Sequence, residues 1–361
     1  MSIVTFGEIM CRLQSPENLR LRQAHGFEVT YAGAEASVAA SICNFGGIAR
    51  YVTALPKHTL AESAMDALRA VGIDTQFVLR TESGRLGLYF LEAGANQRPS
   101  NVIYDRSDSA VSITPYDMYD WSSIFNGSKW LHITGITPGL SKIAAEATLE
   151  AAKKAKAVNI QVSIDLNFRK KLWHWDSSKS NRELAEETIR GILPFVDLVI
   201  GNEEDCADVL NIHAGDTDVD AGKLNTEYYP DVARQLITQF PNVQKVAITL
   251  RESISATHNN WGAMLFDGGI NQHFFAPVDS AGQYVPYEIK NIVDRVGGGD
   301  AFAGGLIFSL NTPELNEPNK AVEYAVAASC LKHSIKGDFN FSTRSEVEAL
   351  LKGSGSGRVV R

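Results

Sequence analysis

The chain alternates short apolar, β-rich runs with amphipathic stretches along most of its length. One amphipathic stretch places Val232, Leu236 and Phe240 on a single helical face, and another does so with Val322 and Val326. Strands that alternate with helices need crossover connections, so the pattern predicts a mainly parallel sheet covered by helices on both faces. The predicted fold class is α/β. The β-like runs are residues 3–6, 49–55, 130–134, 161–165, 198–201 and 245–250.

Two regions, residues 26–31 and 84–105, break this rhythm. The second contains β-like segments at residues 87–92 and 102–105, which the turn-rich stretch AGANQRPS joins without a helix. Strands connected in this way predict an antiparallel flap beside the main sheet. A flap over the ligand-binding edge of that sheet would be a lid.

The domain organisation follows from the same pattern. No internal repeat or linker divides the chain, so we expect a single domain of residues 1–361. The lid segments are expected at about residues 10–32 and 84–110. Residues 353–361 are rich in glycine and are expected to form a flexible tail.

Charge and composition restrict the class of function. The 34 Lys and Arg residues stand against 42 Asp and Glu, which gives a net charge of -8 without the basic excess of nucleic-acid-binding proteins. No run approaches the roughly 18 apolar residues that span a bilayer, and no signal-peptide pattern is visible. The four cysteines have no CxxC spacing. We therefore expect a reduced, cytoplasmic protein that acts on small molecules and binds neither nucleic acid nor membrane.

Three successive glycines, Gly297, Gly298 and Gly299, precede Asp300 and a helical pattern. A turn without side chains lets a ligand approach the backbone, and the N–H groups at a helix start can bind an anion. An ionised Asp beside them can accept a proton from a hydroxyl that attacks phosphorus. The segment thus predicts a phosphate cradle with a catalytic base. The alternative is a tight strand-to-helix turn that Asp300 caps.

Neither common nucleotide fingerprint fits this segment. A GxGxxG pattern from Gly297 would need glycine where Phe302 stands, and the chain contains no GxxxxGK[ST]. The glycine turn must therefore belong to another phosphate-binding design.

Two motifs resemble the signatures of the ribokinase-like, or PfkB, carbohydrate kinases. The sequence DRVGGGD at residues 294–300 is similar to DTxGAGD, with Arg295 in place of Thr, and AGAEASVA at residues 32–39 is similar to GGxxxNVA. In the second motif Ala32 replaces Gly and Ser37 replaces Asn. The resemblance implies a three-layer sandwich with a small β lid, the use of ATP and Mg²⁺, and Asp300 as catalytic base. It also implies that residues 297–300 form an anion hole for the transferring phosphoryl group.

Within the family, the likeness is closest to 2-keto-3-deoxygluconate kinases. It covers almost the whole chain, including residues 85–110, DLNFRKKLW from Asp165, GNEED from Gly201 and HSIKGDFN from His333. The resemblance implies transfer of the γ-phosphoryl group of MgATP to the 6-hydroxyl of that sugar acid. We also expect a homo-oligomer. The residues implied to line the substrate pocket are Gly33, Ala34, Ser37, Tyr89, Tyr104, Arg106, Arg169 and Asp300.

Arg106 and Arg169 are the expected partners of a sugar carboxylate, and Arg169 is also expected to neutralise charge at the reacting oxygens. The planar guanidinium of Arg matches a carboxylate. Arg106 stands beside Tyr104 on a lid segment, and Arg169 follows a strand whose carboxyl end would face the ligand. The alternative is that either arginine forms only a surface ion pair.

The segment GNEED aligns with an NxxE motif that organises Mg²⁺ and phosphate through water in the family, which places Asn202 and Asp205. The alternative is an acidic helix N-terminus. Arg251 stands where relatives have a glycine-rich turn after the strand, so it either contacts phosphate or projects outward. By family analogy Asp294 helps to bind a monovalent cation such as K⁺. The residues expected at ATP are Asn167, Asn202, Thr249, Arg251, Gly297 and Gly299.

Three other functions were weighed. The nearest is a neutral-sugar kinase such as a fructokinase, which would lack the carboxylate partner. A non-catalytic sugar-binding regulator is disfavoured because Asp300 and the glycines are retained together. A nicotinamide dehydrogenase is disfavoured because the first strand ends in Gly7 and Glu8 without a second glycine.

Overall fold

The computed structural model describes residues 1–202, 204–213 and 226–353. The strands are β1 (Ser2–Phe6), β2 (Met10–Gln14), β3 (Glu28–Ala32), β4 (Ala49–Pro56), β5 (Val78–Thr81), β6 (Gly87–Glu92), β7 (Asn101–Asp105), β8 (Ser128–Thr134), β9 (Gln161–Asp165), β10 (Leu198–Asn202), β11 (Lys245–Ser255), β12 (His258–Asp267), β13 (Gln272–Ala276) and β14 (Tyr287–Lys290). The helices are α1 (Ala34–Asn44), α2 (Thr59–Ala70), α3 (Ala110–Ile113), α4 (Trp121–Phe125), α5 (Lys142–Ala157), α6 (Asn181–Ile192), α7 (Asp205–Leu210), α8 (Tyr229–Gln239), α9 (Gly298–Leu310), α10 (Pro318–Lys332) and α11 (Arg344–Leu351).

The main sheet has the strand order β13-β12-β11-β10-β9-β8-β1-β4-β5, and β14 pairs with β12. The strands from β5 to β11 in this order run parallel, whereas β12, β13 and β14 pair antiparallel at one edge. The predicted mainly parallel sheet and α/β class are thus confirmed. The chain order reverses on the two sides of β1, which is where such sheets open a crevice for ligands.

Helices cover both faces of this sheet. Successive residues of a strand point to opposite faces, so Ile3 joins one hydrophobic core while Val4 joins the other. The core around Val4 includes apolar residues of α5, α6 and α8. The core around Ile3 includes those of α1, α2, α9 and α10. The molecule is therefore a three-layer sandwich.

A second sheet, with the order β3-β2-β6-β7, forms the lid sheet. β2 pairs antiparallel with β3, and β6 pairs antiparallel with β7, as predicted for a flap. The two central strands, β2 and β6, instead run parallel, which the sequence analysis did not anticipate. The two central strands come from separate parts of the chain, so no hairpin turn forces them to run antiparallel.

The prediction of a loop after residue 250 is wrong. β11 continues to Ser255 and forms a long antiparallel pair with β12, so Thr249 and Arg251 lie within a strand. Cross-strand pairing with β12 extends β11 beyond its buried apolar run. The expected tail, residues 353–361, lies outside the described residues except for Gly353. Within the described ranges, each helix is too short or too polar to cross a membrane.

Candidate active site

A cavity of about 430 Å³ opens at the carboxyl ends of the parallel strands. The strands β1, β9 and β10 end there, and residues just beyond them, including Glu8, Asn167 and Asp205, line the cavity. The lid sheet contributes Tyr89 and Tyr104 to the lining. Because the strands are parallel, their ends bring polar residues from distant parts of the sequence to one edge.

The glycine turn begins α9 and lines this cavity. Gly297 has a φ of 83°, a left-handed conformation that favours glycine. A Cβ there would lie 2.2 Å from the backbone oxygen of Asp338. A Cβ at Gly299 would meet no atom within 4 Å, so this glycine leaves open space for a ligand. The N–H groups of the first helical turn, which have no partner within the helix, are available to an anion.

Asp300 lies in the first turn of α9, enclosed by protein and partly exposed to the cavity. The pKa of Asp300 is raised to about 7, mainly by burial; the like charge of Asp338 contributes to the rise, and Arg169 opposes it. A carboxyl group with a pKa near neutral pH is suited to accept a proton in a reaction and release it afterwards. The structure thus places Asp300 in the cavity, and its role as a base stays a prediction.

Two further carboxylates, Asp165 and Asp205, line the cavity. The Asp205 oxygens accept the N–H groups of Phe168 at 3.1 Å and Asn202 at 2.9 Å. Burial raises the pKa of Asp165, and the like charges of Asp205 and Asp300 add to the rise. No group of three His, Cys, Asp or Glu residues that could hold a metal is found in the described part of the chain. Two carboxylates suit Mg²⁺, which also takes water and phosphate oxygens.

Three arginines also line the cavity, and the charge of Arg169 acts on Asp165, Asp205 and Asp300. Arg169 and Arg251 are exposed, and Arg295 is half-buried. The Arg295 Nη2 donates to the oxygen of Ser255 at 3.2 Å and to the side chain of Asn259 at 2.7 Å. Burial lowers the pKa of Arg295, and the like charge of Arg251 lowers it further. An anion between these two cations would relieve their repulsion.

The lid side of the cavity holds a buried ion pair. Arg106 donates from Nη2 to the Oε2 of Glu8, and its guanidinium carbon lies 5.3 Å from the centre of the Tyr104 ring. Within the described residues, the Arg106 Nε and the Glu8 Oε1 have no hydrogen-bond partner although both are buried. These two atoms are available to the polar groups of a small ligand.

The lid sheet also reaches the loops around the glycine turn. Arg12, on β2, contacts Asp294 and Asp338 at 2.5 Å each. Asp294 also accepts the N–H groups of Val296 and Gly337, both at 3.0 Å. The Asp294 carboxylate therefore already has a cation as a partner, the Arg12 guanidinium, besides its two backbone N–H donors. These contacts do not fit a monovalent cation at the Asp294 carboxylate.

The structure brings most of the predicted site residues together. Ser37 and Asp294 are the exceptions, because neither lines the cavity. Ser37 is buried in α1, and its Oγ has no hydrogen-bond partner among the described residues. The predicted residues that line the cavity are Gly33, Ala34, Tyr89, Tyr104, Arg106, Asn167, Arg169, Asn202, Asp205, Thr249, Arg251, Gly297, Gly298, Gly299 and Asp300.

Four charged residues of the cavity were missed as site residues: Glu8, Asp165, Arg295 and Asp338. Glu8 and Asp165 carried a usable signal, since each is an acidic residue at the end of an apolar strand. Arg295 stands inside the glycine motif as a departure from the signature. Asp338 had no local signal, because it reaches the cavity through packing between distant segments.

Comparison with known proteins identifies one family. The model of the pfkB family carbohydrate kinases matches residues 1–253. The chain is 31% identical over 355 residues to the 2-dehydro-3-deoxygalactonokinase of Haloferax volcanii, covering 98% of each protein. It is 27% identical to the 2-dehydro-3-deoxygluconokinase of Thermoproteus tenax, covering 98% of this chain and 94% of that one.

A solved structure has a similar fold. The crystal structure of 2-dehydro-3-deoxygluconokinase from Thermotoga maritima superimposes with a TM-score of 0.88 and is 42% identical in sequence. The match covers 98% of both chains, so it includes the main sheet and the lid sheet.

Proposed function

The chain belongs to the pfkB family of carbohydrate kinases, and we propose that it transfers the γ-phosphoryl group of ATP to the 6-hydroxyl of 2-keto-3-deoxygluconate. The observation that carries the proposal is the placement of Asp300 at the start of α9, in the cavity and beside the glycine turn. Similarity to kinases of 2-keto-3-deoxy sugar acids supports the choice of acceptor.

Asp300 acts as the general base in this proposal. Its carboxylate accepts the proton of the sugar hydroxyl as that oxygen attacks the γ-phosphorus of ATP. The bond between the γ-phosphorus and the bridging oxygen breaks, and ADP leaves with the electron pair. A pKa of about 7 lets Asp300 be ionised in a large share of molecules at neutral pH while still binding the proton well.

The glycine turn and Arg169 stabilise negative charge. The N–H groups of residues 298–300 point their dipoles toward the oxygens of the transferring group, with the helix behind them. Arg169 and Arg251 line the same cavity and attract the phosphates. Phosphoryl transfer depends mainly on positioning and charge, so these groups supply most of what the reaction needs from the protein.

Mg²⁺ would be held on the acidic side of the cavity. Asp165 and Asp205 supply oxygen ligands there, directly or through water, and Asn202 lies beside them. A bound Mg²⁺ would neutralise the charge of the ATP phosphates. The protein keeps Asp205 in place through the N–H groups of Phe168 and Asn202.

The lid side of the cavity suits a sugar acid. The Arg106 Nε and the Glu8 Oε1 offer a donor and an acceptor that the protein does not use among its described residues. Arg106 can bind a carboxylate, and Glu8 can accept from a hydroxyl. Tyr89 and Tyr104 enclose the space above them. A neutral ketose would offer Arg106 no carboxylate beyond that of Glu8.

The test is release of ADP on a panel of sugars, namely 2-keto-3-deoxygluconate, 2-keto-3-deoxygalactonate, fructose and ribose. We expect the highest kcat/KM on the 2-keto-3-deoxy sugar acids. Replacement of Arg106 with Ala should then reduce kcat/KM roughly 10- to 100-fold more on the acids than on fructose, because the loss of the buried Glu8 ion pair affects both kinds of sugar. Fructose as the best substrate would instead assign a neutral-sugar kinase.

A further inference from the structure

Arg12 joins the lid sheet to the loops that carry the glycine turn. It lies on β2, its side chain is 1% exposed, and its guanidinium contacts Asp338 and Asp294 at 2.5 Å each. Asp294 precedes the glycine turn, and Asp338 precedes α11. One buried cation thus holds together three segments that are far apart in the sequence.

Asp338 is the link from Arg12 to the glycine turn. Its backbone oxygen faces Gly297 so closely that a Cβ at this glycine would lie 2.2 Å away. Tyr89, on β6 of the lid sheet, donates to both carboxylate oxygens of Asp338 at 3.0 Å. Two residues of the lid sheet, Arg12 and Tyr89, therefore contact Asp338. The position of Asp338 in turn limits where Gly297 can lie.

Asp294 ties the residue just before the turn to the same segment. Its oxygens accept the N–H groups of Val296, just before the glycines, and of Gly337, just before Asp338. Both carboxylates are buried, and two buried negative charges require a cation close by. Lys332 is also buried here and its charge acts on both carboxylates, but its Nζ donates to the oxygen of Ile335 at 3.1 Å, whereas Arg12 contacts the carboxylates directly.

We propose that Arg12 is a positioning residue whose guanidinium fixes Asp294 and Asp338, and through them the glycine turn, so that no exchangeable monovalent cation is needed there. The inference rests on the proposed phosphoryl transfer. It also explains why the Asp294 carboxylate does not fit a K⁺ ion, since the guanidinium already supplies the positive charge.

An arginine suits this task better than a free ion. The guanidinium stays charged at any pH the enzyme meets, and its planar fork can donate to two carboxylates at once. It is also attached to the lid sheet, so the charge is present only when the lid lies against the loops. Lysine would supply a charge but not the same two-sided contact.

The experiment compares wild type, Arg12→Ala, Arg12→Lys and the control Arg85→Ala. Arg85 precedes β6 and forms an exposed pair with Asp105 at 2.7 Å, and it does not line the cavity. For each protein, Tm is measured without substrate, and kcat and KM are measured for both substrates. All measurements are made in K⁺, Na⁺ and tetramethylammonium at constant ionic strength, with and without about 10 mM guanidinium.

We expect wild type to show the same Tm and kcat in the three salts. Arg12→Ala should lose about 100-fold in kcat with a smaller change in KM, because the glycine turn would no longer hold the reacting groups in the position that the reaction needs. Guanidinium should raise both the Tm and the kcat of this variant by filling the vacated space, and should not affect Arg85→Ala. Arg12→Lys should keep the wild-type Tm better than Arg12→Ala and still turn over more slowly than wild type.

Several results would overturn the inference. Wild-type kcat that rises several-fold in K⁺ would show that an exchangeable cation is needed after all. A folded Arg12→Ala with wild-type kcat, or one that guanidinium leaves unchanged, would remove Arg12 from this role. If Arg12→Ala does not fold, wild-type kcat in Arg12→Lys decides against the proposal, and a reduced kcat at an unchanged Tm decides for it.

The acceptor sugar can be wrong without affecting this test. In that event wild type itself would not turn over 2-keto-3-deoxygluconate, and kcat would be measured on the sugar that it does phosphorylate. The Tm response of Arg12→Ala to guanidinium, and the indifference of wild type to K⁺, involve no sugar at all. Failure of the substrate proposal and failure of the Arg12 proposal are therefore distinguishable.

Discussion

Gly297 packs against the backbone of Asp338, with space for a hydrogen atom but not for a methyl group between them. The contact joins the glycine turn to a residue that lies 41 positions later in the chain and that the lid sheet holds through Arg12 and Tyr89. The conformation of the anion hole is thus set from outside the motif that forms it.

The first prediction concerns the two outer glycines of the turn. Gly297→Ala should lower both stability and kcat, because a left-handed φ costs about 1–3 kcal/mol in strain and the new Cβ would clash with a backbone oxygen. Gly299→Ala should keep the wild-type Tm, since its Cβ meets no protein atom within 4 Å, and should raise KM for ATP by entering the ligand space. Thermal melts and steady-state kinetics measure both. Equal losses of Tm in the two variants would contradict this account.

The second prediction concerns the base. Asp300→Asn keeps the shape of the side chain and removes its ability to accept a proton, so kcat should fall by roughly 100- to 10,000-fold. ATP binding, measured by calorimetry, should change little because the glycine N–H groups remain. Near-normal turnover would remove Asp300 from the mechanism. Glu348→Gln, far along α11 and outside the cavity lining, serves as the matched acidic control.

The third prediction is a pH profile. Burial raises the pKa of Asp300 to about 7, with Asp338 adding to the rise, so kcat/KM for the sugar should increase with pH and level off above about pH 7. Asp338→Asn removes one like charge and should move this midpoint to lower pH. The other charged groups that act on Asp300 are Arg169, Glu35 and Lys332, which the variant retains. An unchanged midpoint would exclude Asp338 as a cause of the shift.

The fourth prediction concerns the stability of the fold, which the raised pKa of Asp300 makes dependent on pH. The folded protein holds the Asp300 proton more tightly than the unfolded chain does, so this group stabilises the fold fully below about pH 4. That contribution is lost as the pH rises through about 7. The free energy of unfolding of Asp300→Asn should therefore fall less than that of wild type between these two pH values. Urea titrations at a series of pH values measure the difference, and parallel curves would contradict the prediction.

The fifth prediction concerns Mg²⁺. Asp205→Asn keeps an oxygen at the cavity but removes a negative charge, so the Mg²⁺ concentration that gives half-maximal rate should increase by about 10-fold or more. Chelation of the metal should abolish turnover in both proteins. Titration of the rate with MgCl₂ at saturating ATP measures the change. If the Mg²⁺ dependence of the rate matched that of wild type, Asp205 would have no role in Mg²⁺ binding and would only hold the backbone of Phe168 and Asn202.

The layered fold could be predicted because its signals are local. The β-like run at residues 161–165 matches β9, and the glycine turn predicted the start of α9. Apolar periodicity and glycine runs act over a few residues, so no knowledge of distant contacts is needed. The length of β11 was underestimated because its outer half is stabilised by β12 and not by its own apolar pattern.

The site was harder to predict wherever distant segments meet. The sequence suggested Arg106 as a carboxylate partner, but not that Glu8 would pair with it, since 98 positions separate the two. Family analogy assigns a monovalent cation to Asp294, whereas in the structure Arg12, on a lid strand, contacts its carboxylate. The charge of Asp338 acts on Asp300, although 38 positions separate the two residues. Such pairings depend on the tertiary structure, and a single sequence does not specify them locally.

The two inner strands of the lid sheet are fastened to the catalytic loops, β2 through Arg12 and β6 through Tyr89. These contacts hold the centre of the lid sheet over the cavity, and they would have to break before it could open. The contacts of the outer strands are more exposed: Lys336 pairs with Glu28 on β3, and Lys171 donates to the oxygen of Val102 on β7 at 2.9 Å. Water can replace such exposed contacts at little cost, so we expect sugar and nucleotide to enter and leave at the margins of the lid sheet, beneath β3 and β7.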